Sequence, residues 1–190
     1  MNMTNLKSWI LIVIFCALGI ISSYSQRISS VYGVNLGDTE STVTSKISGS
    51  WKTNSIGQRY YESKNPSLGN CSFDDVTFWF KNGKLYTVNF SCFDYGEYWG
   101  EYFSSSGYDS ARSKQGIFRK KFDVMRSNLL QKYGEPYLDT EDECIWRYSD
   151  REIRLYYEYE DVINSYNNPQ CTCYLLLQYK LGVGAPSVNY

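Results

Sequence analysis

Carboxylates and thiols are the groups whose type and spacing could do chemistry in this chain, because histidine is absent from all 190 residues. Without an imidazole, Ser-His-Asp and Cys-His catalysis have no base and the common zinc sites lose a ligand. Glu158, Glu160 and Asp161, beside Tyr156, Tyr157 and Tyr159, could supply the paired acids of a carboxylate-dependent glycoside hydrolase. That chemistry requires two carboxylates facing one another at a defined separation in space. Asp139, Glu141, Asp142 and Glu143 offer hard oxygen ligands for calcium, but the glycine and ligand spacing of a known calcium loop are missing. The run is therefore expected to be a solvated connection. No cofactor or metal is expected, and the preferred reading is a protein without chemistry of its own.

The thiols point to compartment rather than catalysis. Lys7 is followed by an apolar run from Trp9 to Ile21 and then by Ser23-Tyr24-Ser25-Gln26. A run of roughly 13 residues is too short for a bilayer core that needs about 20, and the small residues at 23 and 25 suit a signal peptidase. Residues 1–25 are expected to be a secretory signal peptide, leaving an exported chain, periplasmic or extracellular, without a transmembrane segment. Cys16 lies inside the apolar run behind Phe15, which argues against a lipid anchor. In an oxidising compartment Cys71, Cys92, Cys144, Cys171 and Cys173 are first expected to be disulfide partners, with one left over. Cys71 and Cys92 flank a hairpin whose tip is Asn82-Gly83, the pair suited to a two-residue type I′ turn. Cys144 is expected to pair with Cys171 or Cys173, since all three share strand parity. Cys171-Thr172-Cys173 lacks the two-residue spacer of a redox motif.

The strongest candidate for contact lies between these cysteines. Residues 94–116 carry Tyr95, Tyr98, Trp99, Tyr102, Phe103 and Tyr108 among glycines, serines and acids. Long connections without structure of their own are usually functional, and rigid aromatics with polar edges make good contact surface. These six rings are the expected partner-binding residues. The competing expectation is that they roof one face of a sheet. The partner is expected to be another exported or envelope protein, with a glycan as the alternative. With a net charge of −1 and mixed signs along the chain, there is no electrostatic footprint for nucleic acid.

The elements that position these residues are expected to form a helix followed by antiparallel strands, twice over. With 19 Tyr, 5 Trp and 9 Phe, the composition favours strands. In the first copy Asp38 or Thr39 caps a short helix carrying Val43 and Ile47. A strand near Arg59 to Glu62 follows, then Ser72 to Phe80, the Asn82-Gly83 turn and Leu85 to Phe93. Counted from that turn, Phe73, Trp79, Tyr86, Val88 and Phe90 share one face, and Val76, Phe78, Phe80 and Leu85 the other. Both faces would then need cover. In the second copy Phe118, Phe122, Met125, Leu129 and Tyr133 form one helical stripe, which Gly134 and Pro136 end. Strands then run from Glu143 to Tyr148, Glu152 to Tyr159 and Thr172 to Lys180, with alternate residues buried.

Leu36-Gly37-Asp38-Thr39 with Val43, Tyr133-Gly134-Glu135-Pro136 and Trp146-Arg147-Tyr148 resemble the helix entry, helix exit and first strands of the outer-membrane assembly lipoprotein BamE (SmpA) group. Two such units in tandem resemble the beta-lactamase inhibitor protein architecture. The resemblance implies a non-catalytic, inhibitor-like module that binds another protein on its sheet or loops. The expected fold is α+β, two tandem helix-plus-antiparallel-sheet units packed as one body. The first unit spans 26–93, an aromatic-rich connector 94–116, the second unit 117–181 and a flexible tail 182–190.

Overall fold

The structure is a computed structural model, and it describes residues 30–97, 106–163 and 169–182. Among the described residues two helices, α1 (Glu40–Lys46) and α2 (Ser106–Tyr133), accompany ten strands. These are β1 (Ser50–Thr53), β2 (Arg59–Lys64), β3 (Ser67–Leu68), β4 (Cys71–Ser72), β5 (Asp75–Lys81), β6 (Lys84–Glu97), β7 (Leu138–Asp139), β8 (Glu143–Arg147), β9 (Arg151–Ile163) and β10 (Pro169–Leu181). Eight strands make one antiparallel sheet in the order β1-β2-β5-β6-β10-β9-β8-β7, while β3 and β4 form a separate ribbon.

Two tandem units are not what the chain builds. β6 and β10 pair without interruption from Gln170↔Glu97 to Lys180↔Thr87, so the last strand of the expected second unit completes the last strand of the expected first. A hairpin alone would leave the far edge of β6 unpaired, and β10 satisfies that edge along most of its length. The expected boundary at 93 falls inside β6, and the one at 116 falls inside α2. The helices are also unequal, at 7 and 28 residues, and α2 packs on β6, β10 and β9, across the middle of the sheet. The expected signal peptide, residues 1–25, and the expected tail beyond Gly182 lie outside the described residues.

Local chemistry explains the elements. Thr39 caps α1, its hydroxyl accepting from Thr42 N at 3.2 Å, and Val43 and Ile47 point into the core. Phe118, Phe122, Met125 and Leu129 form the buried stripe of α2. The helix stops at Gly134, whose φ of 77° is the left-handed cap conformation. Its end is tied to the sheet where Trp146 Nε1 donates to Gly134 O at 2.7 Å. Under the stripe lie Val88, Phe90, Leu175, Leu177, Ile153 and Leu155, all fully buried.

One residue decides which face is which. Asn82 and Gly83 have φ of 50° and 71°, as a type I′ turn demands, with Lys81 opposite Lys84. Phe80 then pairs with Leu85 but Trp79 pairs with Thr87, leaving Tyr86 as a bulge. A one-residue shift moves a whole strand to the other face. Val88 and Phe90 therefore lie opposite Phe78 and Val76, on the helix side, instead of beside Trp79. The expectation that both faces of the hairpin need cover fails for this reason. The apolar residues gather under the helices, and among the described residues no helix or strand packs on the other face.

Candidate functional site

The open face is read off the strand registers. One row across it runs Glu143, Tyr156, Leu176, Ser91 and Asp75, and the next Glu158, Tyr174 and Phe93. A third row holds Glu160, Thr172 and Tyr95. These rows set Phe93, Tyr95, Tyr156, Tyr174 and Leu176 together as an aromatic and aliphatic patch. Phe93 is 58% exposed and Tyr95 46%, large values for rings within a sheet. Edge-on contacts hold the patch: Phe93 and Tyr156 each meet Tyr174 with ring centroids 6.4 Å apart. At the opposite end of the same face Tyr60 stacks on Trp79 at 4.6 Å.

Charge is distributed unevenly over this face. Around the patch stand Glu62, Asp75, Glu143, Glu158 and Glu160, against Lys64 and Arg154. Arg154 is bonded to Glu143 and lies over the Tyr156 ring at 5.0 Å, which fixes that ring in place. Glu158 and Glu160 make no ion pair among the described residues. Desolvation and nearby carboxylates, Glu158 for Tyr156 and Asp75 for Tyr174, raise both phenols above their ordinary value, so they are neutral donors at physiological pH. Beyond the patch, Glu152 bonds Lys180 at 2.7 Å and Arg147 at 3.0 Å. Burial opposes its charge, but those two partners prevail and hold the carboxyl below its usual range.

The expected binding residues divide. Tyr95 sits on the open face, at the exposed end of β6. Tyr98, Trp99, Tyr102 and Phe103 lie outside the described residues, and of Tyr108 only the backbone, in the first turn of α2, is described. The stretch 94–116 is not one loop, since β6 continues to Glu97 and α2 begins at Ser106. Sequence reasoning did not single out Phe93, Tyr174 and Leu176 as candidate contact residues. Their signal is an alternation: Phe93 between Cys92 and Asp94, and Tyr174 and Leu176 between buried Cys173, Leu175 and Leu177. No protein-family profile matches the chain, and no curated protein or solved structure matches it.

The acids and thiols take other roles. Glu158 and Glu160 stand side by side on one exposed strand face, and Asp161, by parity, on the opposite face. That is not a pair facing across a cleft. The acidic run is exposed, as expected of a solvated connection, and arginines tie part of it down. Asp139 is bonded to Arg126, which holds its carboxyl below the usual range, and Asp142 to Arg119 at 2.9 Å. Among the described residues no cluster of His, Cys, Asp or Glu could hold a metal ion.

All five described cysteines are buried free thiols. Cys144 on β8 and Cys173 on β10 have β9 between them, a gap of about 9.5 Å that exceeds disulfide reach; Cys171, on the same strand as Cys173, is no nearer. Cys71 leaves the hairpin to pair with Leu68 in the ribbon, and the Lys121 ammonium enters beside Cys92, 3.4 Å from its sulfur and 2.8 Å from Ser72 O. The expected bridges are therefore not formed in this structure. Burial raises every thiol, with Cys144 and Cys173 pushed up to about 12, so they stay protonated and poorly nucleophilic.

Proposed function

We propose that this chain is an exported, non-catalytic protein-binding module whose contact surface is the open face of the sheet. The observation that carries the reading is the patch of Phe93 and Tyr95, exposed, with half-buried Tyr156, Tyr174 and Leu176 between them and the sheet's charged residues, on strands whose alternate residues are a closed core. Isolated exposed apolar residues need no explanation, but a contiguous aromatic patch with a polar rim has the anatomy of an interface centre. The patch is built on three long strands, with β10 paired to β6 on one side and β9 on the other, so its rings lose little freedom on binding.

The partner is a protein surface that combines apolar and basic side chains. Carboxylates outnumber cations around the patch, and aromatic faces beside Glu158 and Glu160 suit an inserted lysine or arginine. The test compares capture of envelope proteins by the wild-type chain, by the double variant Phe93→Ala/Tyr174→Ala and by Ile56→Ser, which alters an exposed residue elsewhere. A partner held by the wild type and by Ile56→Ser, and weakened at least about tenfold by the double variant, supports the reading. Equal recovery by all three chains, with circular dichroism unchanged, removes this surface from consideration.

A further inference from the structure

On the other side of the sheet, away from the aromatic patch, a cleft of about 430 Å³ opens between the middle of α2 and the turn joining β7 to β8. We propose that this cleft binds a neutral sugar ring. Its floor is Tyr157, with Tyr159 alongside; one wall is Gln115, Gly116 and Arg119, and the other Glu141 and Asp142. The volume lies within the range of small-molecule sites.

The polar groups are already fixed. Arg119 Nη1 lies 2.9 Å from Asp142 and 3.7 Å from Glu141, while its Nε is 3.4 Å from Asp123. Tyr159 donates its hydroxyl to Asp161 at 3.2 Å. A guanidinium has five N–H donors and each carboxylate has several acceptor sites, so this set has capacity left for a ligand that both donates and accepts.

The lining selects among ligand classes. Two carboxylates against one guanidinium disfavour an anion. A cation finds both carboxylates already engaged with Arg119. An apolar ligand would strand charged walls away from water. A pyranose meets the remaining conditions: its hydroxyls donate to carboxylates and accept from the guanidinium, and its C–H face lies on the half-buried Tyr159 ring, since Tyr157 is buried with the Arg119 guanidinium over it.

Gly116 is the independent observation. A glycine inside a helix costs roughly 0.5–1 kcal/mol relative to alanine, and usually a positive φ or a close neighbour explains it. Here neither does: the position is helical, and a Cβ would meet nothing within 4 Å. What the missing side chain provides is clear space at the mouth of the cleft.

The experiment titrates the isotopically labelled chain with glucose, galactose, N-acetylglucosamine and their β-linked disaccharides, following amide and Arg Nε–H signals by NMR. The expected result is saturable shifts confined to Gly116, Arg119 and the Glu141–Asp142 turn for at least one of these sugars. Gly116→Leu fills the opening while raising helix propensity, so it should keep or raise the melting temperature and weaken binding at least about tenfold. Gly116→Ala, the milder change, should raise the melting temperature and weaken binding less. No saturable shift from any of these sugars, or an unchanged affinity in folded Gly116→Leu and Gly116→Ala, overturns the proposal. Either result leaves the open-face reading untouched, because the two surfaces lie on opposite sides of the sheet.

Discussion

Leu175 and Leu176 are neighbours on β10, yet one is sealed beneath α2 and the other lies in the open-face patch. That contrast recurs along β6, where Cys92 is buried and Phe93 is 58% exposed. The two faces of one sheet carry similar apolar side chains for different purposes. On the covered face they fill space and exclude water. On the open face they are edge-packed in a sparse patch, with carboxylates at its borders, and nothing described covers them. Hydrophobicity alone does not separate the two sets; register does.

Shifting the register beyond the bulge tests that statement most severely. Inserting one serine between Thr87 and Val88 would turn Val88 and Phe90 to the Trp79 face and uncover the centre of the core. The expected outcome is loss of the cooperative unfolding transition in urea. An insertion mutant with a wild-type transition would mean that register does not assign the faces.

Single truncations sharpen the same contrast. Leu175→Ala should cost about 2–5 kcal/mol, because a cavity opens under Phe122 and its neighbours. Leu176→Ala should cost less than about 1 kcal/mol. Equal losses in chemical denaturation would show that the open face is part of a core.

Some of this architecture was legible in the residues. The stripe from Phe118 to Leu129 and the alternation from Cys144 to Tyr179 are local periodicities, and the structure keeps both. The Asn82-Gly83 turn was equally plain, because only a few residue pairs tolerate two positive φ angles. The pairing of β6 with β10 had no local signal, since its partners are some eighty residues apart in the chain. The bulge was hidden because either phase of β6 places apolar residues on a face, and only the sheet as a whole decides between them. The first part of α2 escaped notice for a related reason: among its described side chains Ala111 alone is buried before Phe118, so no apolar stripe announces a helix. Of the contact surface, only Tyr95 was anticipated within the described residues. Composition drew attention to the ring-rich connector, whereas strand pairing assembled the patch from three separate segments.

An effect smaller than that of Leu175→Ala tests the polar end of the open face. Glu152 is nearly buried between Arg147 and Lys180, so Glu152→Gln should cost about 1–2 kcal/mol at neutral pH. Because its folded pKa is depressed, the stabilisation is present above the unfolded value of about 4.5 and fades as pH falls through the lower folded value. The variant should therefore show a flatter acid limb in melting temperature against pH. An identical acid limb in both proteins would assign that dependence to other carboxylates.

The most direct measurement places a photo-crosslinking amino acid at Phe93 or Tyr174, and at exposed Ile56 or Val124 as controls, and irradiates the chain in the cells that produce it. The account predicts a discrete protein adduct from the two open-face positions, with basic residues at the partner's crosslinked site, and none from the controls. Adducts from Ile56 or Val124 but not from Phe93 or Tyr174 would contradict it.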